Sequence, residues 1–217
     1  MAKIVGLLVE PTLQTLYMVG LSSLFALILG LPLGIAIVLT EKDGLCESPY
    51  INKVLDVFIN VFRSFPFIIL MIILFPLSRL IVGTTIGTTA TIVPLSISAA
   101  PFMGRVVQTS LQEVDKGVIE AAQAMGADIK TIVLKVLIPE ALPSLAAGVT
   151  LTVIAIVGSS AMAGAIGGGG LGDVAIRFGF HRFRSDVLIA AVIVIIAIVQ
   201  GVQWAGNKIV RRLSRNR

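Results

Sequence analysis

Five stretches of this chain carry no charged residue, and that property restricts the fold more than any motif does. Between Glu10 and Glu41 there are 30 uncharged residues, between Arg63 and Arg79 there are 15, and between Arg79 and Arg105 there are 25. Between Glu140 and Asp173 there are 32, and between Asp186 and Lys208 there are 21. An α-helix needs about 20 apolar residues to cross roughly 30 Å of hydrocarbon. The expected spans are therefore Thr12 to Thr40, Val57 to Leu77, Thr84 to Gly104, Leu142 to Met162 and Val187 to Gly206, the second being interrupted by Arg63. Membrane-spanning β-strands would be about 10 residues long with alternating polarity, which these continuous apolar runs contradict. With 56% hydrophobic and 13% charged residues and a mean hydropathy of +1.00, the 217-residue chain reads as an all-α integral membrane protein. No linker or internal repeat divides it, so residues 1–217 are expected to form one transmembrane domain.

Five spans place the two termini on opposite sides, and the basic residues choose between the two orientations. With the N-terminus outside, the inner segments hold ten Lys and Arg: Lys42, Lys53, Lys116, Lys130, Lys135, Lys208, Arg211, Arg212, Arg215 and Arg217. The outer segments hold five, namely Lys3, Arg79, Arg177, Arg182 and Arg184. The bias predicts an N-out, C-in orientation. It also accounts for the net charge of +5 without nucleic acid, since the basic residues are scattered and end in a short tail. The single Cys46 has no partner for an internal disulfide, and the first span is expected to serve as the targeting signal.

Charges return in the segment between the third and fourth spans, and with them a helical period. Ile129, Ile132, Val133, Val136 and Leu137 share one helix face, while Lys130, Thr131 and Lys135 face away. Asp128 is placed to cap this helix, and Pro139 and Pro143 fall where the chain is expected to leave it and turn into the fourth span. A shorter helix is expected from about Gly117 to Met125, with Asp115 as its cap, Val118, Ala121, Ala122 and Met125 along one side, and Gly126 allowing the turn between the two. This cytoplasmic helix-turn-helix, residues 113–139, has an apolar stripe that needs cover, either from the chain's own helix ends or from a partner.

Within it, Glu120, Ala121, Ala122, Gly126, Val136, Ile138 and Pro139 lie at the spacing EAA, three residues, G, nine residues, then an aliphatic residue, one more, an aliphatic residue and P. This pattern resembles the EAA loop of bacterial ABC importer permeases, with Val136 and Ile138 where isoleucine and leucine are usual. The resemblance implies a type I importer permease fold in which the loop receives force from a separate ATPase and drives alternating access. Glu120 then offers a carboxylate to that partner; its other reading is a helix-stabilising residue within the loop.

The rest of the sequence is consistent with an external power source. No GxxxxGK[ST] phosphate loop is present, so no ATP hydrolysis and no bound cofactor are expected of this chain. Gly167, Gly169 and Gly172 satisfy GxGxxG, but they follow a membrane span rather than a strand, so a nucleotide role is not expected. The small residues from Gly158 to Gly172 instead suit a flexible or closely packed end of span four, with a dimer seam or outer gate as a further possibility. Ion coupling normally needs acidic residues or histidines inside the membrane, and the five span cores contain none; His181 lies in the last outer loop. With one cysteine and one histidine, no metal site is expected.

Three further stretches, NVFRSFPFIILM, VGTTIGTTATIVPLSISAAPFMGR and SSAMAGAIGGGGLGDVAIRFG, resemble methionine importer permeases. Together with the loop they cover most of the chain from Asn60 to Gly179. The resemblance implies a homodimer of this chain in membrane lipid, two cytoplasmic ABC ATPase subunits, and an extracytoplasmic solute-binding protein delivering D- or L-methionine. Permeases for glycine betaine, phosphonates and polar amino acids carry related loops, and a stand-alone secondary transporter is the alternative from another class. Candidates for a polar pathway are Ser96, Ser98, Thr150, Thr152, Ser159, Ser160 and Met162, each of which also suits helix packing. Arg63 is expected to snorkel to lipid headgroups or to form a salt bridge, with Asp56 or with the coupling loop, that differs between transport states.

Overall fold

The computed structural model describes residues 2–215, with side chains from Gly6 onward, and among them there is helix but no strand. Lys3's side chain and Arg217, both counted in the charge comparison, lie outside that description. In chain order the helices are α1 (Ala2–Thr40), α2 (Pro49–Ser64), α3 (Phe67–Val82), α4 (Thr88–Gln112), α5 (Lys116–Ala124), α6 (Ile129–Ile132), α7 (Ile138–Gly164), α8 (Gly170–Val174) and α9 (Ser185–Arg215). One π-helical turn, Val133–Leu137, joins α6 to α7, and another, Ala175–Phe180, follows α8.

Four of the expected spans coincide with long unbroken helices, Gly6–Thr40, Thr88–Gln112, Ile129–Gly164 and Ser185–Arg215, although residues 84–87 of the expected third span lie in the turn before its helix. The second span departs from expectation. The run from Val57 to Leu77 is not one helix but two, α2 and α3, set at 107° across a short break. Pro66 is the cause: it has no N–H to donate, and its ring drives Phe65 out of helical geometry to φ −70, ψ 130. At 16 residues α3 is about 24 Å long, short of the roughly 30 Å hydrocarbon core, so the described residues hold four unbroken spans, or five with the bent pair counted as one broken span.

α4 is the central post of the bundle. In its apolar window 61% of residues are buried, against 11% in α9, which therefore presents most of its surface to lipid or to a partner. α1 packs most extensively on α4 because glycines on α1 admit the opposing helix. A Cβ at Gly30 would stand 2.6 Å from Met103 Cβ, and one at Gly34 would stand 2.5 Å from the Gly104 carbonyl oxygen. Neither position accepts a side chain while the helices keep this separation.

The core forms four clusters, one of them Met18 of α1 with Ile92 and Leu95 of α4. Near the 113–139 loop, Met103, Val107 and Leu111 of α4 meet Ala122, Ile132, Val133, Leu137, Ala141 and Leu145. At mid-height Val19 and Ala26 of α1 meet Ala99, Ile156 and Val157. At the far end Leu8 meets Leu171, Val174, Val187 and Ala191. The molecule thus has a loop end and a glycine end, and the C-terminus of α9 points toward the former.

Candidate coupling site and membrane cavity

The helix-turn-helix forms where the sequence places it. Asp115 caps α5 by accepting from the Gly117 N–H at 2.7 Å, and Asp128 caps α6 by accepting from the Thr131 N–H at 3.3 Å. The hydrogen bond to Thr131 holds the Asp128 carboxyl below the usual carboxylate range. Between the two helices Gly126 sits at φ +80, donating to the Gln123 carbonyl at 2.9 Å, while Ala127 donates to the Ala122 carbonyl at 3.1 Å. This pair of bonds is the Schellman arrangement, and a residue with a Cβ is strained at that φ.

The expected exit at Pro139 and Pro143 does not occur. The helix continues from Ile129 through the π turn into α7 and runs on to Gly164 as one span. In the π turn the Ile138 N–H reaches back to the Val133 carbonyl, a widened loop next to the residue that has no N–H to give. Pro139 then falls in the first turn of α7, where proline is tolerated. The second half of the loop is therefore a rigid extension of a transmembrane helix.

The loop has two faces. Inward, Ala122 (4% exposed), Ile132 (1%) and Leu137 (2%) seat it on α4 and α7, with Val136 and Ile138 half-buried beside them. Burial of each full-sized aliphatic side chain contributes roughly 1.5–3 kcal/mol, enough to hold so short an element in place. Outward, Val118, Met125, Ile129 and Leu134 are exposed, Met125 by 83%. Glu120, Ala121 and Pro139 are exposed as well. The apolar side expected of α5 is thus divided, Ala122 facing the bundle while Val118 and Met125 face away. Glu120 and Gln123 also line a cleft of about 430 Å³ whose opposite wall is the turn around Glu41 and Lys42. Across that turn the Gln112 amide donates to both oxygens of Glu41, at 2.7 and 3.0 Å.

Of the seven expected pathway residues, the structure brings three together. Ser98, Thr152 and Ser159 line a cavity of about 280 Å³ with Phe62, Arg63, Phe67 and Phe102. Ser96 is buried and donates to the Ile92 carbonyl at 2.6 Å, and Ser160 donates to Val157 at 2.8 Å. Thr150 donates to Ala146 at 2.7 Å and abuts Gly206 of α9. Met162 is 52% exposed on the outer surface of α7.

A polar cluster beside the cavity has no counterpart in the sequence reading. Arg105 of α4 pairs with Asp56 of α2 at 2.6 Å and donates to Asn60 at 3.0 Å and Gln108 at 2.7 Å. Asp56 is therefore Arg105's partner and not Arg63's; Arg63 lies 6.0 Å from the centre of the Phe102 ring instead. The available signal was that Asp56 and Arg105 are opposite charges at the ends of neighbouring apolar runs.

At the glycine end, the segment after α7 is closely packed rather than loose. Gly170 donates to the Gln14 side chain and Leu171 to the Thr15 hydroxyl, both at 2.9 Å, and Gly87 donates to the Gly167 carbonyl at 2.9 Å. The GxGxxG string closes α7 against α1 and the α3–α4 turn.

A crossed membrane bundle whose one rigid external element is seated on two spans and leaves an apolar face uncovered is the architecture of a transport subunit moved by another protein. Residues 30–215 match the family described as binding-protein-dependent transport system inner membrane component, and the chain belongs to that family of multi-pass inner-membrane permeases. Among curated proteins it is 49% identical over 207 residues to the probable D-methionine transport system permease protein MetI of Vibrio cholerae serotype O1, covering 95% of this chain and 92% of that one. It is 47% identical over 171 residues to the methionine import system permease protein MetP of Bacillus subtilis, covering 79% and 77%. Among solved structures, it superposes on a chain of the inward-facing MetNI methionine ABC transporter with a TM-score of 0.96 at 40% identity, covering 98% and 99%. An amino acid ABC transporter solved with histidines, at 21% identity and a TM-score of 0.74, shares the fold.

Proposed function

We propose that this chain is the permease of an ATP-driven methionine importer, working as a homodimer with two cytoplasmic ATPase subunits and an extracytoplasmic binding protein, and that it hydrolyses no ATP itself. The observation that carries this reading is the loop's division into a seated face and an uncovered one. Ala122, Ile132 and Leu137 fix it to α4 and α7, while Val118, Met125 and Ile129 are left for a partner. Because α6 continues into α7, a displacement of the loop travels into the membrane as a rigid-body motion, which is what exchange between inward-open and outward-open states requires. Glu120, Ala121, Ala122, Gly126, Val136, Ile138 and Pro139 form the coupling element in this account. The identities of 49% and 47% to methionine permeases support methionine, of either hand, as the cargo.

The loop end is cytoplasmic in this reading. Lys42, Lys53, Lys116, Lys130, Lys135, Lys208, Arg211, Arg212 and Arg215 gather there, and Arg79, Arg177, Arg182 and Arg184 lie at the glycine end. The test is reconstitution of the permease with its ATPase and binding protein in proteoliposomes. ATP-dependent uptake of methionine is the expected result, and uptake of another solute with none of methionine would overturn the assignment.

A further inference from the structure

Arg63 stands at a depth where lipid does not suit a charge. It lies over Phe102, which is 14 residues from the start of α4 and 10 from its end, or about 21 and 15 Å along the helix. From Asp56 to Arg63, α2 advances seven residues, yet its partners on α4 move only from Arg105 to Phe102. α2 therefore crosses α4 obliquely, and the break at Pro66 leaves Arg63 beside the middle of the bundle. A guanidinium held there belongs against a polar cavity rather than acyl chains. The acid two helical turns away, Asp56, is taken by Arg105 at 2.6 Å, and no ion pair among the described residues includes Arg63.

The cavity that Arg63 lines supplies the remaining chemistry of an amino acid site. Ser159 of α7 contributes a hydroxyl, Ser98 of α4, whose hydroxyl donates to the Leu95 carbonyl at 3.0 Å, contributes an acceptor oxygen, and Phe62 and Phe102 contribute aromatic walls. Its volume of about 280 Å³ falls just under the ~300 Å³ at which small-molecule sites begin, which is room for one small solute. The planar guanidinium matches a carboxylate in two-point geometry. Thioether sulfur packs favourably at ring edges, so the same cavity suits an unbranched sulfur-bearing side chain.

We propose that Arg63 is the carboxylate-binding residue of a transient solute site inside the membrane, with Ser98 and Ser159 as its polar neighbours. This inference rests on the importer reading above, and it adds a site in the permease itself that recognises the charge of the cargo.

The test uses the reconstituted complex of permease, ATPase and binding protein, comparing wild type with Arg63→Gln and Arg63→Lys. Methionine uptake per ATP hydrolysed should fall at least tenfold in Arg63→Gln and recover in part in Arg63→Lys. Stimulation of ATP hydrolysis by the loaded binding protein should persist in both. Direct titration of the complex without binding protein should show methionine bound at least tenfold more tightly than methioninol, which lacks the carboxylate, and Arg63→Gln should erase that difference. Uptake per ATP and methioninol discrimination equal to wild type would overturn the site. Loss of binding-protein stimulation along with uptake would overturn it too, assigning Arg63 to structure. If Arg63→Gln fails to assemble, Ser159→Leu fills the cavity while residue 63 stays arginine: lost methionine binding supports the site, and retained binding overturns it. A wild-type complex that moves no methionine refutes the importer reading separately.

Discussion

The two ends of the molecule solve opposite problems with different residues. At the glycine end, the chain between α7 and α9 turns back on itself through backbone contacts. A Cβ at Gly164 would meet the Gly172 backbone and one at Gly172 the Ala161 backbone, and Gln14 and Thr15 receive the N–H groups of Gly170 and Leu171. At the loop end the turn between α4 and α7 is built from aliphatic side chains and two aspartate caps, and its outer face is left bare. A segment closed on its own chain contributes stability. One that keeps an apolar face uncovered transmits force only once a partner covers it. Substitutions at the glycine end should therefore lower thermal stability and transport together, whereas those on the outer face of the loop should separate the two.

The largest loss of stability is expected from Gly172→Leu. A Cβ there meets the carbonyl oxygen and Cα of Ala161, backbone atoms that have nowhere to go. Overpacking costs about 1–3 kcal/mol where side chains can yield, and backbone contact places this case at or above the top of that range. Detergent-solubilised protein should lose its monodisperse elution, and a variant as stable as wild type would mean that the α7–α8 turn is looser than described.

Gly126→Pro comes next. Proline fixes φ near −65° where the loop needs +80, and it removes the N–H that bonds Gln123. The damage, of about 3 kcal/mol, is confined to the α5–α6 turn. Membrane insertion should be normal and uptake should fall at least tenfold. Normal uptake would remove the loop from the mechanism. Thr15→Val is a milder test of the other end, since it strands the buried Leu171 N–H at a cost of about 1–3 kcal/mol. It should lower the midpoint of thermal unfolding by a few degrees and lower uptake only in proportion to the folded protein lost.

What could be read from the sequence divides along the same line. Four spans followed from charge-free runs, and the caps Asp115 and Asp128, the turn at Gly126 and the inward row of Ile132, Val133 and Leu137 followed from local chemistry and period. Each depends on residues within a turn or two of one another. The break in the second span was written in Pro66, but an apolar run with a single proline reads equally as a kinked helix, and membrane helices tolerate proline. The π turn that carries α6 into α7 past Pro139 left no compositional trace. The pairing of Asp56 with Arg105 spans 49 residues of sequence, and that of Thr15 with Leu171 spans 156. Contacts of that range depend on how helices cross, which period and propensity do not encode. The same limit applied to the pathway candidates, where hydroxyl chemistry alone could not tell Ser98 and Ser159, which line the cavity, from Ser96 and Ser160, which do not.

The smallest change in stability and the sharpest contrast should come from Met125→Arg. Met125 is 83% exposed at the tip of α5, buries almost nothing in the chain itself, and has Val118 and Ile129 as exposed apolar neighbours. Surface substitutions of this kind normally alter stability by no more than about 0.5 kcal/mol, so the unfolding midpoint should match wild type. A partner that seats this face must desolvate whatever stands there, and a guanidinium without a counter-charge opposes that burial as methionine does not. The purified permease should therefore be intact while ATPase recovery on affinity purification and methionine uptake both drop at least tenfold. A stable variant that still captures its ATPase would show that the bare face is not the contact surface, and the division of labour between the two ends would then lose its functional half.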